Sequence, residues 1–122
     1  MSSQASPDSE AQWELIDGGT SVGTAGPEDG IILVDEELLE TARITLERDT
    51  DHAPFAITCG VYGSLLHTCR FRLEVEARSA YEAMKPELAA IVRLKSARIA
   101  NPELVPPQVI SDACFQFTKT FR

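Results

Sequence analysis

Cys59, His67 and Cys69 are the residues of this chain whose types and spacing could do chemistry. A thiol beside an imidazole can act as a nucleophile with its base, and two thiols with an imidazole can contribute to a zinc site. All three fall in the stretch Pro54–Val75, PFAITCGVYGSLLHTCRFRLEV. Phe55, Ile57, Cys59 and Val61 alternate with small or polar residues, and after Gly63-Ser64 the alternation resumes through Leu65, His67, Cys69, Phe71, Leu73 and Val75. A period of two puts each set on one face of a strand, so the stretch reads as a β-hairpin with one buried face.

The pattern that brings the three residues together also argues against their reactivity. A nucleophilic thiolate needs an exposed, electropositive setting, and an apolar strand face is the opposite. Structural zinc sites use paired short cysteine spacings, which are missing here. The cluster therefore reads as core, with no catalytic, cofactor-binding or metal-ligating residue assigned and no cofactor expected.

Other candidates fare no better. Asp49, Asp51 and His52 share a short segment before Pro54, but Asp is common in turns for backbone reasons, and no complete ligand set accompanies them. Gly18 to Glu37 superficially resembles a nucleotide-binding pair, a glycine-rich stretch followed by Ile31-Ile32-Leu33-Val34-Asp35-Glu36. It lacks G-K-[ST], so no lysine is placed to meet phosphates. The carboxylate pairs Glu36/Glu37 and Glu74/Glu76 could do acid–base work only if something perturbed them, and a solvated face is the simpler reading. Trp13 and Tyr62 are possible contact aromatics.

The elements that must position these residues come from periodicity and punctuation. Residues 1–29 are rich in Ser, Gly, Asp, Glu and Pro, a composition that reads as a flexible acidic tail, with Trp13-Glu14-Leu15-Ile16 as a short apolar island. Ile31–Val34 is an apolar run, while residues 35–42 fit either a helix or a strand end and loop. Ala42, Ile44 and Leu46 alternate with Arg43, Thr45 and Glu47, which predicts a strand. Ala77, Ala80, Tyr81, Met84, Leu88, Ile91 and Val92 recur at helical spacing and predict a helix over 76–96. A capping box at Ser79–Glu82 would start its regular part as late as Ser79, and Pro86 should kink it. Phe115, Phe117 and Phe121 suggest a terminal strand.

Together these make an α+β fold: a small antiparallel sheet of 3–5 strands with one main helix packed on one face, in a single domain spanning 30–122. The face away from the helix would carry Arg43, Thr45, Glu47, Thr58, Thr68, Arg70 and Arg72, with mixed signs suited to cross-strand pairing in solvent.

Charge narrows the function classes. The net charge is −8, and residues 1–54 hold thirteen acidic residues against two arginines, while residues 55–122 hold six against nine basic ones. That balance argues against nucleic acid or an anionic membrane as partner, each of which needs a dense basic surface. A local set of Arg70, Arg72, Arg93, Lys95 and Arg98 would have to work against the rest of the chain. Three cysteines, Cys59, Cys69 and Cys114, are an odd count without C-x-x-C spacing, which fits free thiols in a reducing cytoplasm. MSSQASPDSE has neither basic side chains nor an apolar run, so it does not read as a signal peptide, and no stretch approaches a membrane span.

The expectation is a small soluble non-enzymatic interaction or regulatory protein with a protein partner of unknown identity and a possible homodimer. The alternative is a small enzyme or ligand-binding domain with a pocket between sheet and helix near His67.

Overall fold

The computed structural model describes residues 11–122. Its centre is an antiparallel meander of five strands in chain order: β1 (Glu14–Leu15), β2 (Ile31–Leu38), β3 (Ala42–Arg48), β4 (Phe55–Val61) and β5 (Leu65–Phe71). Two helices follow, α1 (Glu74–Ala100) and α2 (Pro107–Thr120). The fold is α+β, with α1 laid across β3, β4 and β5.

Alternation along the strands decides what α1 covers. Ile44, Leu46, Ile57, Cys59, Val61 and Cys69 point to one face and are buried there. Ala77, Tyr81, Met84, Leu88, Ile91 and Val92 of α1 meet them, at the three- and four-residue spacing of one helical stripe. The helix begins at Glu74, five residues before Ser79, so Ser79 lies inside it and caps nothing. Glu74 and Glu76 occupy its first turn, where negative charge meets the positive end of the helix dipole, and Glu74 also accepts from Arg78 one turn on at 2.8 Å. α1 runs through Pro86 as a single helix.

The structure decides one segment that the sequence left open and differs from the reading of another. Residues 35–42 extend β2 to Leu38 and then reverse: Leu39 and Glu40 take φ of +52° and +55°, and the Thr41 amide donates to the Leu38 carbonyl at 2.9 Å. Two successive positive φ values are those of a type I′ turn, whose twist suits a tight hairpin. The Phe115–Phe121 segment is no strand but the end of α2 and its cap. Ile110, Ala113, Cys114, Phe117 and Phe121 follow helical spacing and pack onto the core, and Pro107 opens the helix where a missing N–H is harmless. Phe115 and Phe117 are two apart, but only Phe117 is buried.

A further difference concerns the sheet's other face. Arg43, Thr45 and Glu47 do share it, yet Thr45 and Glu47 are fully buried. What covers them is the chain from 11 to 30. Residues 1–10 of the acidic stretch lie outside the described residues; residues 11–30 form a strap laid along the sheet. β1 pairs with β2, and Trp13 packs against the core. The Lys85 ammonium stands 5.8 Å from the Trp13 ring and 5.6 Å from that of Tyr81, close enough for a cation–π contact.

Glu47 holds the strap down. Its carboxylate accepts the backbone N–H of Glu28 (3.1 Å to each oxygen) and of Gly30 (3.0 Å). One strand away, the buried Asp35 carboxylate accepts from Arg43 Nε (2.9 Å) and Nη2 (2.6 Å) and from the Thr45 hydroxyl (2.9 Å). Burial alone would push the Asp35 carboxyl up; the Arg43 fork, the nearby Ser21 hydroxyl and Thr45 outweigh it and hold the group below its ordinary range. Arg43 is pushed up in turn, chiefly by its hydrogen bond to Asp35.

Candidate functional site

The hairpin does bring Cys59, His67 and Cys69 together. Cys59 faces His67 directly across the β4–β5 ladder, and Cys69 faces Ile57 two pairs along, on the same face. All three look inward, toward α1 and the end of α2. There the Phe121 carbonyl, just past the last turn of α2, accepts from His67 Nε2 and from the Cys69 thiol, the latter at 2.9 Å. A helix C-terminus leaves carbonyls without partners, and these two side chains satisfy one of them. The contact fixes the His67 tautomer with its proton on Nε2, since a carbonyl can only accept. Phe117 closes the side of the ring edge-on, with centroids 6.1 Å apart.

This environment disarms the thiols. Burial pushes the Cys59 thiol up to about 12, with Cys69 nearby adding to the effect, and burial pushes Cys69 up to about 11 despite Arg70. Cys69 also spends its proton on a carbonyl at the negative end of a helix, a place that disfavours a thiolate. Cys114 is likewise pushed up by burial, against the pull of Lys95. The arrangement is a hydrogen-bonded seam that fastens α2 to the edge strand.

The remaining candidates scatter. Asp49 takes a positive φ of 55° and pairs with Arg48; its amide and that of Asp51 close the turn on the Pro54 and Glu28 carbonyls. Among the described residues no group of three or more His, Cys, Asp or Glu side chains is placed to hold a metal ion. Glu36 accepts from the Tyr81 hydroxyl at 2.7 Å and from Lys85 at 3.1 Å, a bridge from sheet to helix. Burial, then the bond to Glu36, pushes the Tyr81 hydroxyl far up. The basic residues Arg70, Arg72, Lys95 and Arg98 do not form one patch. Arg70 and Arg72 lie at the far end of β5, and Arg70 pairs with Glu28 at 2.8 Å. Lys95 and Arg98 lie at the other end, roughly 20 Å away along the strand.

What periodicity did not show is the end of the sheet formed by the two hairpin turns, Leu39–Thr41 and Tyr62–Ser64, which are tied by the Tyr62 amide donating to the Thr41 carbonyl at 2.8 Å. The C-terminal end of α1 reaches the same place, where Lys95 donates to the Tyr62 carbonyl. Here the chain leaves large apolar side chains in solvent: Tyr62 is 84% exposed, Leu66 and Ile99 82%, Leu104 78% and Leu39 73%. Scattered apolar residues on a surface are ordinary; several gathered at one end mark a contact surface.

Two cavities flank this end and share Gly63 in their walls. The larger, about 650 Å³, is an open groove on the strap side. Its floor is low because Gly60, between Arg43 and Leu66 in register, has no side chain; a Cβ there would stand 2.9 Å from the Leu65 carbonyl oxygen. Ile16 and Pro27 of the strap and Tyr62 of the turn form its walls, and the Thr58 hydroxyl is buried in it without a hydrogen-bond partner. Glu37 and Glu40 stand on its rim. The second cavity, about 540 Å³, lies on the helix side between Ser64, the end of α1 and the start of α2, and carries Lys95 and Arg98. Gly63 itself takes φ +78°, the conformation the third residue of a type II turn requires, which lets the chain reverse sharply between the cavities.

No protein-family model, curated protein or solved structure matches this chain. Among the described residues, no helix is long and apolar enough to cross a membrane.

Proposed function

We propose that this chain is a small non-enzymatic interaction protein that acts by docking a polypeptide on the turn end of its sheet. One observation carries the reading: exposed Tyr62, Leu66 and Ile99 line two adjoining cavities at one end of the sheet, with exposed Leu39 on the neighbouring turn and Leu104 on the loop after α1. Burying such side chains is favourable by about 1.5–3 kcal/mol each when fully desolvated, so a partner covering them gains a substantial apolar contribution. Tyr62 is suited to the middle of such a contact, because a tyrosine offers large area and a polar tip while losing few rotamers. The seam of Cys59, His67 and Cys69 supports the same reading from the other side, since its groups are committed to holding α2.

The test is a photo-crosslinking amino acid placed at Tyr62 and, as control, at the exposed Asp112 on α2, in cells that express the chain. The reading expects discrete protein adducts from position 62 that are absent from position 112. No adduct at 62, or the same adducts at both positions, would overturn it.

A further inference from the structure

We infer that the partner seated on the turn end is a second copy of this chain, related by a twofold axis through the β4–β5 turn at Gly63. The inference rests on the docking role proposed above and names its occupant. Its basis is that the two flanks of the turn complement one another in charge as well as both being apolar.

On the strap side the groove is rimmed by Glu37 and Glu40, with Asp17 beside Ile16. The one cation in that wall, Arg43, already forks onto the buried Asp35, so its charge is offset and the rim stays acidic. On the helix side Lys95 and Arg98 donate to backbone carbonyls: Lys95 to Tyr62, Arg98 to Val105 at 2.8 Å and to Pro102 at 3.3 Å. A carbonyl positions a cation without neutralising it. Glu103 in the same loop offsets one of the two charges and leaves the flank positive. Ile99 lines the same cavity as the two cations, and Leu104 lies on the loop that Arg98 holds; both are more than three-quarters exposed.

A twofold axis lying in the plane of the sheet and perpendicular to the strands exchanges the two flanks. A contact across it is isologous: what touches the groove of one copy is the helix flank of the other, and the reverse contact forms at the same time. Rotation about Gly63 therefore sets Ile99 and Leu104 of each copy against the apolar groove over Gly60 of its partner. It also sets Lys95 and Arg98 against Glu37 and Glu40, twice per dimer. Tyr62 of both copies meets near the axis. Such matching supplies orientation and discrimination, and it would persist despite a net charge of −8 on each copy because it is local.

The test uses the full chain in sedimentation velocity up to about 100 µM, at low and high salt. The proposal expects a dimer that weakens as salt rises. Ile99→Glu, at a site with no role in the fold, should weaken association by at least about tenfold, as should Glu40→Lys or Arg98→Glu alone. The decisive experiment mixes the Glu40→Lys and Arg98→Glu proteins. Each alone opposes like charges at both contacts, whereas the mixed pair opposes unlike charges at both, so two weakened proteins should form a heterodimer with affinity restored. Circular dichroism on each variant confirms that it is folded, and Ile99→Glu stands if Arg98→Glu fails to fold. A monomer at every concentration, or a dimer indifferent to these substitutions, would overturn the inference. Crosslinking from position 62 to a different protein, with the chain monomeric, would overturn the second copy while leaving the docking role intact. No crosslink and no dimer would sink both.

Discussion

Removing the Glu47 carboxylate tests whether the strap is part of the folded domain. Glu47 is completely buried, and its two oxygens serve two backbone amides, those of Glu28 and Gly30. A hydrogen bond to a charged group contributes about 1.5–3 kcal/mol net, so two amides correspond to about 3–6 kcal/mol. Water reaching the loosened strap reduces this, and the expected loss for Glu47→Ala is about 3 kcal/mol, a large share of the ~5–15 kcal/mol that holds an ordinary domain together. The opposing possibility is that desolvating the carboxylate already cancels its bonds, in which case Ala would be neutral. Gly26 separates the two. A Cβ at Gly26 would collide with the end of the Glu47 side chain. Gly26→Ala should therefore cost about 1–3 kcal/mol in the native background and close to nothing once Glu47→Ala has removed the colliding atoms. The assay is urea denaturation of the four members of the cycle, with amide exchange at Glu28 and Gly30 as the local readout. Additive losses to within ~0.5 kcal/mol, or a neutral Glu47→Ala, would refute the reasoning.

Leu88→Ala, which empties a fully buried site beneath the sheet, should destabilise by about 2–5 kcal/mol, whereas Arg72→Ala on the exposed chain after β5 should stay within ~0.5 kcal/mol by the same urea midpoints. Cys59 and Cys69 should label slowly with a thiol reagent at neutral pH in the native protein and rapidly in denaturant; fast native labelling would mean the seam opens. The same thiols predict alkaline destabilisation. They ionise near 9.0 in the unfolded chain and near 12 and 11 when folded, so the unfolded chain sheds protons that the folded one keeps. Their contribution is fully present below about pH 9 and is lost as pH rises through the folded values; a Cys59→Ala variant should lose less stability than the parent between about pH 8 and about pH 10.5.

Much of the helix side of the sheet can be read without coordinates. Period two from Phe55 to Phe71 places Ile57, Cys59, Val61 and Cys69 on one face, and the stripe from Ala77 to Val92 supplies its cover. The turn residues around Gly63 and Pro54 are equally legible, because turns place local demands on φ. Where two periods compete over a short run the reading fails: Phe115 and Phe117 suggest alternation, while Ile110, Cys114, Phe117 and Phe121 obey the helix. A short apolar set is compatible with both until something is packed against it.

The strap and the turn end were decided by tertiary structure alone. Composition reports that residues 11–29 cannot collapse by themselves; Glu47, about twenty residues on, supplies the acceptor for the amides of Glu28 and Gly30 that composition cannot reveal. Alternation reports that Arg43, Thr45 and Glu47 share a face but not what lies over it, so a buried network reads as a solvated one. The apolar end has the same origin. Leu39, Tyr62, Leu66, Ile99 and Leu104 come from four separate segments, and each on its own is an unremarked surface residue. Only the meander, by returning both turns to one end and sending α1 back toward them, gathers these side chains into one surface. Sequence period encodes which residues of one element share a face; which elements share an end is set by long-range packing.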